Sequence, residues 1–135
     1  MKFGIIGYGS IGKRHIRNLL SLGYDNIVLL REHGKGNDHG FTELADIETL
    51  INKRPDAVII SNPTSLHYKF LTSLMKENIN VLVEKPVVSN FEDYDKIKNQ
   101  LPKYFGIGMA AFNMRFHPCV KHVHRIIANG ILGKI

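Results

Sequence analysis

FGIIGYGSIGKRH, residues 3–15, can be read in two ways that exclude each other. Gly7, Gly9 and Gly12 fit G-x-G-x-x-G, the turn that holds a dinucleotide pyrophosphate; Gly7 to Lys13 also fits the opening of the triphosphate loop G-x-x-x-x-G-K-[ST]. The next residue decides between them. A triphosphate loop needs a Ser or Thr hydroxyl after the lysine to hold magnesium, and Arg14 puts a cation there instead.

The flanks agree with the dinucleotide reading. Lys2 to Ile6 is a short apolar run ending in glycine, suited to a strand buried on both faces of a parallel sheet. From Ser10 to Leu22, residues Ile11, His15, Ile16, Leu19, Leu20 and Leu22 recur at helical spacing, and Gly23 closes the helix. Gly7 then makes the tight turn out of the strand, Gly9 admits the pyrophosphate close to the backbone, and Gly12 lets helix pack on strand. The helix-start N–H groups, from Ser10 and Ile11 onward, face the phosphates. A second strand is expected over Asn26 to Leu30. An acid about 20 residues past the motif marks NAD, and an Arg there marks NADP. The chain supplies Arg31 and then Glu32, so NADP or NAD is expected, with Arg31 tilting the choice to NADP.

Farther along, His33 to Gly40 reads as loop, and Thr42 precedes a helical pattern from Glu43 to Asn52 that Pro55 stops. Asp56 to Ser61 reads as a strand. Pro63-Thr64 opens a helix with Leu66, Phe70, Leu71, Leu74 and Met75 on one face. Asn80 to Val83 is a strand, Phe91 to Gln100 a helix, Tyr104 to Met109 a strand, and Pro118 to Ala128 a helix before Gly130. Strands alternating with helices predict an α/β doubly wound parallel sheet, with ligands at the carboxyl ends of the strands.

Bulk properties narrow the classes of function. The 135 residues carry a net charge of +6, but Lys and Arg are scattered, and the one dense cluster, Lys13, Arg14 and Arg17, follows the glycine turn, where it favours a phosphate. Sequence-directed nucleic-acid binding is therefore not expected. No apolar run approaches the roughly 18 residues needed to span a bilayer, and Met1-Lys2 leads into a strand rather than a signal peptide; no membrane association and a cytoplasmic location are expected. Cys119 is the single cysteine, which excludes an internal disulfide. His117, Cys119, His122 and His124 crowd together, but His122 and His124 at i, i+2 point to different faces of a helix, so no metal is expected.

Two further stretches, SNPTSLH at 61–67 and VEKP at 83–86, fall at carboxyl ends of expected strands, on the same edge as the glycine turn. With AAFNMRFHP at 110–118 they resemble the motifs of the glucose-fructose oxidoreductase and inositol dehydrogenase (Gfo/Idh/MocA) family, in the family's order and over the whole chain. The resemblance implies a Rossmann domain binding NADP or NAD, with Lys85 as the catalytic residue beside the nicotinamide, Glu84 positioning both Lys85 and the cofactor, and both residues in contact with the cofactor. It further implies that Ser61, Asn62, Pro63, Thr64 and His67 follow the cofactor, that Asn113 and Arg115 lie near nicotinamide and substrate, and that the Lys85-Pro86 bond is cis. The implied substrate is a small sugar-like or cyclitol hydroxyl compound. Read by its residues, Lys85 is a partly desolvated strand-end cation placed where alkoxide charge develops, and His67, in the first turn of a helix, is an exposed or capping residue.

Family members also carry a carboxyl-terminal α/β domain with an Asp-x-x-x-His pair, which forms the substrate wall and the dimer interface. By that comparison residues 1–129 are the cofactor domain, and 130–135 are the start of a truncated second domain. Cofactor binding without useful turnover is then expected of this chain, and a homo-oligomer is compatible with it. The alternative is a non-catalytic dinucleotide-binding sensor or scaffold.

Overall fold

The computed structural model describes residues 1–31 and 36–133. Glu32 and the start of the expected 33–40 loop lie outside the described residues, as do the last two positions of the expected 130–135 segment. The elements are β1 (Phe3–Ile6), α1 (Ser10–Ser21), β2 (Ile27–Leu30), β3 (Thr42–Leu44), α2 (Ile47–Asn52), β4 (Ala57–Ile60), α3 (His67–Lys76), β5 (Asn80–Val83), α4 (Phe91–Gln100), β6 (Gly108–Ala110) and α5 (Pro118–Ala128). All strands are parallel, in the order β3-β2-β1-β4-β5-β6. This is the doubly wound Rossmann order, whose direction reverses between β1 and β4.

Strand alternation builds two cores. Ile5, Ile27, Leu29 and Ile59 point to one face, where Ile16 and Leu19 of α1 cover them. Ile6, Val28, Leu30, Val58, Ile60, Val81 and Val83 point to the other, under Ile47 and Leu50 of α2, Leu71 and Leu74 of α3 and Ile97 of α4. Burial on both faces explains why these strands read as continuous apolar runs.

Two expectations are corrected. Thr42 to Leu44 is not the start of a helix but a parallel edge strand, with Val28, Leu29 and Leu30 opposite Thr42, Glu43 and Leu44. The helix begins only at Ile47, because the Asp46 carboxylate accepts from the Thr49 N–H at 2.7 Å and so fixes Asp46 as the cap. Leu44, Ile47 and Leu50 fall at helical spacing although the first belongs to a strand. The last strand is also shorter than Tyr104 to Met109. The Asn78 and Asn80 side-chain oxygens take the N–H groups of Phe105 and Ile107 at 2.8 Å, so side chains replace the ladder until Gly108.

The register sets the rim. Ile6 lies opposite Leu30 and Ile60, and Ile60 opposite Val83. The next residue of each strand then donates to its neighbour's last carbonyl: Gly7 to Leu30, Ser61 to Ile6, Glu84 to Ile60 and Ala111 to Val83, at 2.8–3.0 Å. Gly7, Ser61, Glu84 and Ala111 therefore follow the strands along one edge. At the far end of the sheet, α5 buries no residue, and Val123 and Ile127 are about half exposed.

Candidate functional site

Two glycines of the turn are required by contacts within the protein, and the third is not. Gly7 has φ +95°, and a Cβ there would lie 2.7 Å from the Asn62 nitrogen. At Gly12 a Cβ would meet the Gly7 carbonyl oxygen at 2.1 Å, so this glycine seats α1 against the end of β1. Gly9 differs: its φ of −76° suits any residue, and a Cβ would meet nothing within 4 Å. Neither backbone strain nor protein packing calls for glycine at position 9.

The first turn of α1 faces this open space. Gly9, its cap residue, has no side chain to satisfy the helix N–H groups, and the first turn carries no acid. By contrast, Asp46 caps α2 with Glu48 in its first turn, and Asn90 caps α4 with Glu92 and Asp93. The exposed amides and positive dipole end of α1 suit an anion.

Clefts open on both sides of the switch point. One, of about 380 Å³, is lined by Gly7, Leu30, Arg31, Asn62, Pro63 and Phe70 among others. The second, of about 420 Å³, is lined by Ile11, Arg14, Ser61, Asn62, Thr64, His67, Glu84, Lys85, Asn113 and Met114. Asn62 belongs to both, and its Oδ1 is buried with no hydrogen-bond partner among the described residues. The Gly9 cradle, the uncapped amides and this orphaned acceptor together fit a dinucleotide with donor groups along its length. A larger hollow of about 580 Å³, lined by Arg54, Asp56, Glu77 and Asn80, lies at the opposite edge of the sheet, away from the turn.

On the second cleft, the Glu84 carboxylate points to α1. Its Oε1 lies 2.8 Å from His15 Nε2 and 4.0 Å from the Arg14 guanidinium, and its Oε2 accepts from the Lys85 N–H at 3.3 Å. Among the described residues Lys85 forms no ion pair, because the adjacent carboxylate is engaged elsewhere. The sequence reading made Lys85 partly desolvated; the side chain is instead exposed, and the Lys85-Pro86 peptide is cis.

His67 also departs from expectation. It is 1% exposed, with Nδ1 3.0 Å from the Pro86 carbonyl and Nε2 2.9 Å from the Asn62 carbonyl. His67 thus joins the segments that follow β4 and β5, holding the two walls of the cleft in register. His67→Phe removes from a buried place the ring nitrogens that face the two carbonyls. It is expected to cost about 2–4 kcal/mol, read as a lower urea midpoint with an unchanged slope.

The remaining expected residues divide. Ser61 donates to the Ile6 and Gly7 carbonyls at 3.0 and 3.2 Å and so bridges β4 to the glycine turn. Ser10 opens α1, and Ile11, Pro63, Thr64 and Asn113 line the clefts. Arg115 does not join them. Its guanidinium lies 5.6 Å from the Phe116 ring, beside a hollow shared with Lys121 and His124 of α5. Among the described residues no three His, Cys, Asp or Glu side chains converge as metal ligands, and no helix is long and apolar enough to cross a membrane. His15 was missed as a site residue, although Ile11 and His15 at i, i+4 put it on the cleft face of α1.

A family model described as "Oxidoreductase family, NAD-binding Rossmann fold" matches residues 1–104. Myo-inositol 2-dehydrogenase of Thermotoga maritima is 28% identical over 99% of this chain and 42% of its own length. The scyllo-inositol 2-dehydrogenase (NAD(+)) of Bacillus subtilis is 26% identical, again over 99% of this chain and 42% of its own. The crystal structure of myo-inositol 2-dehydrogenase from Lactobacillus plantarum superposes with a TM-score of 0.89 at 25% identity, covering 100% of this chain and 43% of that one. The chain thus spans about two-fifths of the length of these proteins.

Proposed function

The chain belongs to the Gfo/Idh/MocA oxidoreductase family with its NAD-binding Rossmann fold, and on that premise we propose that it binds NAD(H) across the crevice above Gly9 and brings Lys85 to hydride transfer at a sugar or cyclitol hydroxyl. The observation that carries this reading is the open space at Gly9, under uncapped helix amides and between two clefts that share Asn62. The cleft with Arg31 and Pro63 suits the adenosine half, and the cleft with Thr64, Glu84, Lys85 and Asn113 the nicotinamide half.

When bound, the nicotinamide supplies the hydride acceptor. The chain's own part is electrostatic. Oxidation of a carbinol releases its hydroxyl proton to a base or water and its carbon-bound hydrogen as hydride. The Lys85 ammonium, not neutralised by Glu84, can hydrogen-bond the oxygen and hold the alkoxide charge that develops as the proton leaves and before the neutral carbonyl forms. Glu84 and His15 act as a brace that turns the carboxylate towards α1 and sets the backbone from which Lys85 projects. The substrate class rests on the relatives' inositol activities.

Between the two cofactors the reading is NAD, against the tilt given by Arg31 in the sequence. Arg31 donates to the Gly36 carbonyl at 3.1 Å and lies 3.6 Å from Glu43, so its guanidinium is already engaged. Titration of the protein into NADH and NADPH, followed by nicotinamide fluorescence, tests the reading. Saturable NADH binding below about 1 mM is expected, and absence of binding by either nucleotide at millimolar concentration removes it.

A further inference from the structure

The middle residue of the turn, Tyr8, sits in a charged cluster that no motif announces. Its hydroxyl donates to Asp38 Oδ2 at 3.1 Å and accepts from the Asp38 N–H at 3.0 Å. Lys13 Nζ reaches the same carboxylate oxygen at 2.8 Å and lies 4.7 Å from the Tyr8 ring centroid. The Arg31 guanidinium lies 5.2 Å from that centroid. One cation, Lys13, and a phenol hydroxyl thus meet on one carboxylate at the ends of β1 and β2, with the Arg31 guanidinium near the Tyr8 ring.

In this fold the ribose 2′ position lies at the end of β2, where an acid selects NAD and a basic group accepts the 2′-phosphate of NADP. Lys13 and the Tyr8 hydroxyl are the chemistry of a phosphate site, while the neighbouring Arg31 is already engaged by Glu43. Asp38 places an anion in it. The carboxylate reaches there from a loop 30 positions away from Tyr8, and the short bonds from Lys13 and Tyr8 hold its carboxyl below the usual carboxylate range, so it stays charged at neutral pH. A second anion arriving at Lys13 meets like charge and a cation already engaged.

We propose that Asp38 sets the choice of cofactor: its carboxylate, held on Lys13 and Tyr8, takes the place that a 2′-phosphate would need, so that NADH is bound in preference to NADPH until that charge is removed. The inference rests on the dinucleotide reading above and adds to it a specificity residue and the cation, Lys13, that the residue silences.

The test compares affinities for NADH and NADPH, by nicotinamide fluorescence, in the wild-type chain, Asp38→Asn, Asp38→Asn with Lys13→Gln, and Glu32→Gln. Asp38 is exposed, and thermal melts establish that its variant folds. In Asp38→Asn the ratio of the NADPH to the NADH dissociation constant is expected to fall at least about ten-fold. The fall should shrink as salt is raised, and it should be lost in the Lys13→Gln double variant. A ratio that Asp38→Asn leaves unchanged, or that moves with Glu32→Gln in its place, overturns the inference while wild-type NADH binding keeps the site reading. Failure of the wild-type chain to bind either nucleotide overturns both.

Discussion

Gly9→Ala is expected to leave the protein folded and to weaken NADH binding at least about ten-fold, whereas Gly7→Ala is expected to cost about 2–4 kcal/mol of stability. The contrast follows from what surrounds each Cα. At position 7 an added methyl group faces a backbone nitrogen at 2.7 Å, and φ +95° is a conformation that alanine adopts only under strain. The Asn62 backbone cannot yield easily, since the Asn62 carbonyl is held by His67 and the neighbouring Ser61 N–H is bonded to Ile6. At position 9 the same methyl group meets no protein atom within 4 Å. Its effect falls on whatever approaches the amides of α1, and a pyrophosphate that needs backbone contact is pushed outward. Differential scanning calorimetry and NADH titration on the two variants separate the roles. A Gly7→Ala drop of about 10 °C with an unchanged Gly9→Ala melt is the predicted pattern. If Gly9→Ala binds NADH as the wild type does, the crevice above the turn is not where the cofactor lies.

Legibility in the sequence followed the range of the interactions. The glycine turn, β5, α4 and α5 were readable because each is decided locally: by Gly7 and Gly12 between apolar runs, by the Asn90 cap before Phe91, by Pro118 at the start of the last helix. Thr42 to Leu44 was misread because its strand character comes from pairing with β2, while Leu44, Ile47 and Leu50 imitate a helical face. His67 showed the right position but the wrong environment. Nothing local says that two carbonyls, one of them 19 positions away, close on its ring. The Tyr8, Lys13 and Asp38 cluster was invisible for the same reason, since Asp38 meets its partners only once it is folded against the turn, 30 positions from Tyr8. E-K-P was legible as a motif, but its charge balance was not. That Glu84 turns to His15 and leaves Lys85 unneutralised depends on how α1 sits on the sheet.

That charge balance leads to the other large effect. In a polypeptide that contains this sequence and oxidises a cyclitol or sugar with NAD, Lys85→Met is expected to lower kcat on the order of 10²–10⁴-fold and to change NADH affinity by less than about three-fold. Methionine keeps the length and the apolar stem of the side chain and removes only the ammonium, so packing along the cleft wall is preserved. Cofactor affinity should hold, because the groups fitted to the phosphates are the amides of α1 and not the Lys85 ammonium. The loss should therefore appear in kcat and kcat/KM together, the signature of an interaction made only as charge develops on the substrate oxygen. Glu84→Gln gives the complementary result. It keeps the side chain's shape but loses the carboxylate charge that faces His15 and Arg14, and a smaller drop in kcat is expected if Glu84 serves only to aim its neighbour. Steady-state kinetics with both variants decides the point, and full turnover in Lys85→Met would assign this chain's dinucleotide site to sensing rather than to hydride transfer.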